Sequence, residues 1–290
     1  MSKFNKIVTH PGSSHKDEFL ACCLLLSGNR VSISRRDPSP EDLENPSTAV
    51  VDVGGEHNPE KGNFDHHQFP RDHTPTCSLS LILMDMGLYE EARKYCDWLE
   101  VAEWFDTRGP QETAAWLGVE RDLLAKLNST VDLTLLRRFA GMSKINPGEP
   151  MWEVMNWIGS DLIGYLRSLR EKLAEIERVS EIWTLGNGAE SFRILFLPRS
   201  ENLSEDASAG LARYASGLPE EQQVVGMVYP DRRGSGFALS RYNDHLGFDF
   251  TRVGEESDVH FAHARGFVAK TSAVDLDRIK ELLKKSWAAI

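Results

Sequence analysis

Residues 6–26, KIVTHPGSSHKDEFLACCLLL, contain the pattern from which the fold class is predicted. A short strand-like run, Lys6–Thr9, ends at a His-Pro-Gly turn, and Asp17–Leu26 is then apolar enough for a buried helix. Thr48–Val53 is a second apolar, β-branched run that leads directly into Gly54-Gly55. Such a run is typical of a central parallel strand entering a functional loop. The order strand, helix, strand predicts an α/β fold with a parallel sheet.

The rest of the chain continues this alternation. Helices are predicted over Ser78–Met86, Glu90–Phe105 and Arg121–Leu127, and one long amphipathic helix extends from Met151 to Ile182. Later strands are predicted over Phe192–Leu197, Val224–Tyr229, Gly236–Arg241 and Val259–His263, with helices over Asp206–Ala215 and Ala273–Ala288. We therefore expect two domains, residues 1–180 and a smaller α/β domain, residues 181–290.

Composition excludes several classes of protein. The 290 residues carry a net charge of −11, which argues against a protein that coats long duplex DNA, because such binding depends on many Lys and Arg contacts to phosphate. A phosphate substrate held by metal ions in a small pocket remains compatible with this charge. No apolar run approaches the roughly 20 residues of a membrane span, so no membrane association is expected.

Cysteine usage indicates the compartment. The four cysteines, Cys22, Cys23, Cys77 and Cys96, show no CxxC spacing, which argues against a zinc ribbon or a disulfide framework. The N-terminal residues lack a charged and then apolar leader. A reduced, cytoplasmic protein is expected.

Histidines and carboxylates cluster where the predicted strands end. Six of the nine histidines fall within the first 73 residues. His10 follows the first strand, His15 and Asp17 begin the next helix, and Asp52 ends the Val50-Val51 strand. Asp65-His66-His67 follows in a loop. Since the carboxyl ends of neighbouring parallel strands meet at one edge of a sheet, these side chains are expected to converge.

A mixed set of imidazoles and carboxylates suits borderline divalent ions such as Mn²⁺. The number of groups exceeds what one ion needs and matches two ions that share bridging carboxylates, an arrangement used in phosphoryl hydrolysis. Taken singly, each residue has a structural alternative: Asp17 as a helix N-cap, Asp52 as a turn residue, His10 as a surface histidine. His57 and His73 are interpreted as ordinary loop residues and left out of the site.

The segments that carry these residues resemble a known family. They are Thr9-His10-Pro11-Gly12 with His15-Lys16-Asp17-Glu18, then Asp52-Val53-Gly54-Gly55, and then Phe64-Asp65-His66-His67-Gln68. In this order they resemble the melanocyte-proliferating-gene family of the DHH phosphoesterase superfamily, most strongly over residues 6–69. Trp104-Phe105-Asp106 and His263-Ala264-Arg265-Gly266-Phe267-Val268 are similar to two later family segments.

The resemblance implies a DHH-type parallel-sheet metal-binding domain with two divalent ions, Mn²⁺ first and Mg²⁺ as the alternative. The implied ligands are His10, His15, Asp17, Asp52, His66 and Asp106. Asp52 and Asp106 would bridge the ions. His67 would contact the substrate phosphate or the attacking water, and Asp65 is carried over with it, orienting a histidine from outside the ligand set.

The second domain is expected to recognise the substrate. Arg232, Arg233, Arg241, His263 and Arg265 lie on short segments that contain glycines, and guanidinium groups suit phosphate. Among them His263 and Arg241 are the first candidates, followed by Arg265. Solvated surface arginines are the structural alternative.

These observations predict a Mn²⁺-dependent, two-metal phosphoesterase that acts on short RNA or another small phosphodiester. A pyrophosphatase or polyphosphatase with the same metal site is the enzymatic alternative. A non-catalytic metal-binding protein is the alternative from another class. The sequence leaves open the exact substrate, the polarity of an exonuclease and whether the chain forms a homo-oligomer.

Overall fold

The computed structural model describes residues 3–186, 191–200 and 207–288. The chain forms two compact units, Met1–Arg167 and Ser168–Ile290. The sequence places a boundary near residue 180, at the end of the long helix, whereas the division between the units falls inside that helix, Pro150–Val179. Each unit combines helices with a six-stranded sheet, so the predicted α/β class is confirmed.

The sheet of the first unit has a parallel centre. Its strands are β1 (Lys6–Thr9), β2 (Ser32–Arg35), β3 (Thr48–Val51), β4 (His57–Asn58), β5 (Asn63–Phe64) and β6 (Lys144–Ile145). They lie in the order β4-β5-β3-β1-β2-β6; the four central strands are parallel, and the edge strands β4 and β6 pair antiparallel. Thr9 pairs with both Val51 and Arg35. The residues that follow these three strands therefore leave the sheet at one edge.

The helices that begin in the first unit are α1 (Lys16–Leu26), α2 (Pro40–Glu44), α3 (Ser78–Asp85), α4 (Tyr89–Tyr95), α5 (Asp97–Leu117), α6 (Arg121–Lys126), α7 (Thr130–Ala140) and α8 (Pro150–Val179). Helix α1 is buried over most of its length, as its apolar sequence predicts. Gly159 of α8 lies so close to the backbone of Cys23 that a Cβ atom there would overlap the Cys23 carbonyl group. The glycine therefore lets α8 pack directly against α1.

Helix α5 consists of two segments. Gly109 adopts a φ of 76° and Pro110 follows it, so the hydrogen-bonding pattern is interrupted between the segments. The single helix predicted over Glu90–Phe105 is wrong in one respect. It comprises α4 and the first segment of α5, which are separated by Cys96 in a non-helical conformation.

The sheet of the second unit is mainly antiparallel. Its strands are β7 (Glu181–Leu185), β8 (Phe192–Phe196), β9 (Gly226–Pro230), β10 (Phe237–Arg241), β11 (Val259–Ala262) and β12 (Val268–Thr271). They lie in the order β11-β12-β10-β9-β8-β7, and only the β8–β9 pair is parallel among these strands. Strand β7 begins where the long helix was still expected, because α8 ends at Val179.

Two α-helices, α9 (Ala207–Ser216) and α10 (Leu276–Ser286), and two 3-10 helices, Glu220–Gln222 and Phe250–Val253, complete the described part of the second unit. Asp206, where a helix was predicted to begin, lies outside the described residues. Leu282 and Leu283 of α10 are fully buried in one cluster with Phe248 and Phe250, so α10 closes the apolar core of this unit. None of the described helices is long and apolar enough to cross a membrane.

Candidate metal centre

The candidate site begins where β1 and β3 end. His10 and Asp52 directly follow these paired strands, and the Nε2 atom of His10 lies 3.5 Å from Oδ2 of Asp52. Asp52 is buried and has a φ of 59°, a left-handed conformation that is uncommon for residues other than glycine. The backbone N–H of Asp52 donates to the Phe64 carbonyl at 3.0 Å, and the Ser78 hydroxyl donates to Asp52 Oδ1 at 3.0 Å. These contacts hold the carboxylate in a conformation of the kind often found at functional sites.

The first turn of α1 adds two carboxylates. Asp17 and Glu18 are both fully or almost fully buried, and the helix N-terminus favours negative charge at this position. One oxygen of Glu18, Oε2, accepts the backbone N–H of His15 at 2.7 Å, while Oε1 lies 3.4 Å from His10 Nε2. Glu18 was not predicted as a site residue from the sequence. Its place three residues after the N-cap indicates a capping role, and it has that role with only one of its oxygens.

Asp106 and His66 come from the first segment of α5 and from the loop after β5. His66 Nε2 lies 3.0 Å from Asp52 Oδ1 and 3.0 Å from Asp106 Oδ2. His15 Nδ1 lies 3.4 Å from the other oxygen of Asp106. The structure thus brings together all six residues predicted as ligands: His10, His15, Asp17, Asp52, His66 and Asp106.

Potential donor atoms among the described residues form four groups, two of which are the candidate ion positions. Of these two, the four-residue group consists of Asp17, Asp52, His66 and Asp106, and the three-residue group consists of His10, Glu18 and Asp52. The other two overlap with them and consist of Asp52, Asp65, His66 and His67, and of His15, Asp17 and Glu18. Within each group the donor atoms lie within 4.8 Å of one another. Asp52 belongs to both candidate ion positions, as a carboxylate that bridges two ions would.

Several buried polar atoms in these groups have no hydrogen-bond partner in the described part of the chain. They are Asp17 Oδ1 and Oδ2, Glu18 Oε1, and the pair His66 Nε2 and Asp106 Oδ2, which lie 3.0 Å apart without the geometry of a hydrogen bond. Leaving such atoms unpaired is costly, so a missing partner is indicated. Adjacent ligands around an octahedral ion with bonds of about 2.1 Å are about 3.0 Å apart, the spacing between His66 and its two aspartates. The residues present therefore fit a divalent cation.

The electrostatics of the protein groups support the same interpretation. Burial, together with the negative charges of Asp52 and Asp106, raises the pKa of Asp17 well above its ordinary value. The carboxylates of Asp52 and Glu18 raise the pKa of His10 to about 10. Burial lowers the pKa of His66, but Asp106 and Asp52 outweigh burial and raise it to about 10. The carboxylates thus favour a positive charge among them, which protonated histidines provide here and a metal ion would provide more strongly.

In the Asp65-His66-His67 segment, Asp65 is a buried hydrogen-bond acceptor and His67 is exposed. Asp65 is buried and accepts the Gly55 N–H at 2.6 Å, the His66 N–H at 2.8 Å and His67 Nδ1 at 2.7 Å. The His67 side chain is 62% exposed, and its Nδ1 lies 3.9 Å from Asp52 Oδ1. Asp65 thus fixes the backbone turn and the ring of His67, which leaves His67 Nε2 accessible beside the donor groups.

The structure splits the residues predicted for substrate recognition into two sets. Arg241 lies over the ring of Phe267, 5.3 Å from its centroid, and His263 stacks on the same ring at 4.9 Å. The backbone N–H of Arg265 donates to His263 Nδ1 at 3.1 Å, so Nε2 carries the ring hydrogen and can donate to a ligand. Gly266 has a φ of 68°, and a Cβ atom there would overlap Asp249 Oδ1 and crowd the Arg241 guanidinium.

Arg232 and Arg233 lie in the loop before β10, whereas Arg241 ends that strand. The two ends of this five-residue strand are about 13 Å apart. Both arginines are exposed. Substrate binding by His263, Arg241 and Arg265 stays a prediction.

A protein-family model matches part of the first unit. Residues 6–87 match the MYG1 exonuclease family model, described as "Uncharacterised protein family (UPF0160)". The MYG1 exonuclease of Homo sapiens is 45% identical over 75 residues, which cover 25% of this chain and 19% of that protein. The MYG1 exonuclease of Rattus norvegicus is 45% identical over 67 residues, which cover 22% and 17%.

These matches confirm the resemblance over residues 6–87, which contain the donor residues except Asp106. They span less than a fifth of the length of these two relatives. A solved structure, the pGpG-specific phosphodiesterase PggH of Vibrio cholerae, aligns with 98% of this chain and 99% of its own, at 13% identity and a TM-score of 0.31. A structural similarity at this level carries no functional argument.

Proposed function

We propose that this chain is a metal-dependent phosphoesterase that hydrolyses phosphodiester bonds in short RNA or a small nucleotide. The observation that carries the proposal is the pair of donor groups that share Asp52, with buried carboxylate oxygens that lack other partners. The similarity of residues 6–87 to proteins named MYG1 exonuclease supports the same class of reaction.

Two divalent ions are proposed, Mn²⁺ first and Mg²⁺ as the alternative, because carboxylates and imidazoles suit such ions. The four-residue group would hold one ion and the three-residue group the other, with Asp52 between them. When bound, the ions would acidify a water molecule and neutralise negative charge that develops on the phosphate oxygens. His15, 3.4 Å from Asp106, would complete or orient the ligand set on that side.

The residues around the ions have separate proposed roles. Asp65 holds the His67 ring through Nδ1, so that His67 Nε2 can contact a substrate phosphate or the attacking water. Arg241 and His263 are proposed to bind an anionic end group of the substrate, because both are aligned on Phe267 and each has an N–H suited to phosphate. Arg265 is proposed as an additional phosphate contact because its side chain is exposed beside them.

The test is an activity panel with protein stripped of metal and then supplied with Mn²⁺ or Mg²⁺. The substrates are a short oligoribonucleotide, a linear dinucleotide, a cyclic dinucleotide and pyrophosphate. Hydrolysis of an oligoribonucleotide or dinucleotide, dependent on the added ion, is expected. Hydrolysis of pyrophosphate alone would indicate a pyrophosphatase. Ion binding without hydrolysis of any substrate would indicate a non-catalytic metal-binding protein.

A matched pair of variants separates the site from the fold. Asp52→Asn changes the shared carboxylate, whereas Asp231→Asn changes a buried carboxylate of the second unit that has its own protein partners. Activity should disappear in the first variant and persist in the second. Equal activity in both variants would contradict the proposed site.

A further inference from the structure

Arg35 is a buried cation next to the candidate metal centre that neither donor group includes. It is the last residue of β2, and its side chain is only 1% exposed. The guanidinium stacks over the ring of Phe139, with 4.5 Å between its central carbon and the ring centroid. Burial lowers the pKa of Arg35, which shows that the surroundings oppose its charge unless they provide compensating contacts.

The compensating contacts are backbone carbonyl groups of the loop between β1 and α1. Nη1 donates to the Gly12 carbonyl at 3.2 Å and to the Phe139 carbonyl at 3.1 Å, and Nη2 donates to the Ser13 carbonyl at 2.9 Å. This loop connects His10 to His15. One guanidinium group therefore fixes the chain segment between two candidate ligands to β2 and to the end of α7.

The same guanidinium lies beside a third candidate ligand. Nη2 of Arg35 is 3.8 Å from Oε1 of Glu18, the oxygen that faces His10 at 3.4 Å. Two effects on a metal ion therefore oppose each other at this position. The positive charge repels a cation bound by Glu18, whereas the hydrogen bonds to Gly12 and Ser13 fix the loop that follows His10. A lysine at position 35 retains the charge and loses the planar set of donors, so it isolates the second effect.

From these contacts we infer that Arg35 is a positioning residue for the three-residue group of His10, Glu18 and Asp52, and that it sets the affinity of this group for its divalent ion. The inference rests on the proposed function, because it takes two ions per chain as given. Among the described residues, the polar contacts of the Arg35 side chain are with Gly12, Ser13, Phe139 and Glu18, and not with Asp17, His66 or Asp106. The effect of Arg35 should therefore be larger on the ion of the three-residue group than on the other ion, which the same loop reaches only through His15.

The experiment titrates metal-free protein with Mn²⁺ alone, by calorimetry and by electron paramagnetic resonance, which distinguishes a coupled Mn²⁺ pair from single ions. Wild-type protein should bind two ions and show the coupled signal. In Arg35→Lys one ion should bind about 10- to 100-fold more weakly, as is usual when a residue that orients a ligand is lost. The affinity for the other ion should fall by a clearly smaller factor. At low Mn²⁺ the spectrum should be that of single ions, and excess Mn²⁺ should restore the coupled signal.

Two matched variants identify the affected position and exclude a general loss of stability. Glu18→Gln removes a donor of the three-residue group and should weaken the same ion as Arg35→Lys. Arg278→Lys changes an arginine of the second unit that pairs with Glu256 and Asp258. It should lower the melting temperature without changing either Mn²⁺ affinity.

The outcomes separate the two proposals. Wild-type protein that binds fewer than two ions would overturn the two-ion site, whatever the behaviour of Arg35. Two ions in wild type with both affinities unchanged, or both lowered equally, in Arg35→Lys would overturn the positioning role alone. Should Arg35→Lys not fold, Phe139→Leu removes the stacking partner and leaves the donors of Arg35 in place. It should weaken the same ion by a smaller factor, and unchanged affinities would overturn the inference.

Discussion

Asp17 in the first unit and Asp231 in the second are both buried carboxylates, but their surroundings differ in kind. Neither oxygen of Asp17 has a hydrogen-bond partner among the described residues. Asp231 accepts Lys270 Nζ at 2.7 Å, and His260 Nε2 lies 3.4 Å away. Burial and the neighbouring Asp52 raise the pKa of Asp17, whereas for Asp231 the effect of burial is outweighed by Lys270 and the pKa is lowered.

The difference separates a ligand site from a structural ion pair. A buried acid with protein partners has its charge compensated within the fold, so that removing one member of the pair is destabilising. A buried acid that lies among other acids destabilises the fold until a cation binds. Burial alone would have marked both residues as candidates for function. The missing partners, and not the burial, make the first cluster a candidate metal centre.

The largest expected effect is the loss of hydrolysis in Asp52→Asn. Losing a ligand shared by both donor groups should reduce kcat by more than the roughly 10- to 100-fold that residues behind the ligands typically contribute. Asparagine tolerates the left-handed conformation of position 52, so the fold should be retained. Steady-state kinetics and circular dichroism on the same preparation check this, and near-full turnover would reduce Asp52 to a turn residue.

The second prediction concerns Mn²⁺ as a stabilising ligand. Added at about 100 times its dissociation constant, each bound ion should stabilise the native state by about 2.7 kcal/mol. Thermal unfolding with and without a chelator measures the shift. The shift should be lost or strongly reduced in Asp17→Asn and retained in Asp231→Asn. If both variants retained it equally, the ion would bind elsewhere.

Substitutions around Phe267 should have a smaller effect on activity and no effect on metal content. Arg241→Ala or His263→Ala should lower kcat/KM about tenfold, since a hydrogen bond to a charged group contributes about 1.5 kcal/mol or more. Metal stoichiometry should stay at the wild-type value. Arg241 Nε also donates to the Phe248 carbonyl at 2.7 Å, so melting temperature must be measured alongside. A loss of stability large enough to explain the lost activity would assign both residues to the fold.

The last prediction concerns the free energy of unfolding, which Asp17→Asn and Asp231→Asn should change in opposite directions. In the presence of a chelator at pH 7, Asp17→Asn should stabilise the protein by about 1–2 kcal/mol, and Asp231→Asn should destabilise it by a similar amount. Because the pKa of Asp231 is lowered in the native state, its contribution is present above its ordinary value near 3.8. That contribution is lost as the pH falls below this value. Urea unfolding at pH 7 and pH 3 tests both statements, and effects of the same sign would remove the distinction between the clusters.

The sequence predicts those parts of the site that depend on local pattern. The apolar runs before His10 and Asp52 indicate strands, and parallel pairing of these strands is sufficient to bring the two side chains to one edge. Local pattern did not predict Asp106 as a site residue, because nothing in the periodicity of α5 distinguishes it from a surface aspartate. It was found through the resemblance of Trp104-Phe105-Asp106 to a family segment.

Other features depend on long-range contacts that a sequence pattern does not contain. The capping position of Glu18 indicates a local role, and only the approach of His10 reveals its second oxygen as a donor. Arg35 has the sequence appearance of a surface residue at the end of a strand, yet Phe139, more than a hundred residues later, covers it. Strand β12 was missed because its four residues are defined by pairing with β10 and β11.

The break in α5 at Gly109 has a consequence for how this chain can diversify. Asp106 belongs to the last turn before the break, and the Pro110 segment starts with its own helical register. Insertions or deletions in the helices that follow the break therefore do not rotate Asp106 around its helix axis. Helix α6, which has no buried residue, can change in length and composition while the carboxylate keeps its distance from Asp52. Helix α7 is constrained at its end, where Phe139 stacks on Arg35. The break thus separates the helical segment that holds Asp106, whose geometry the site requires, from a following segment whose sequence can vary.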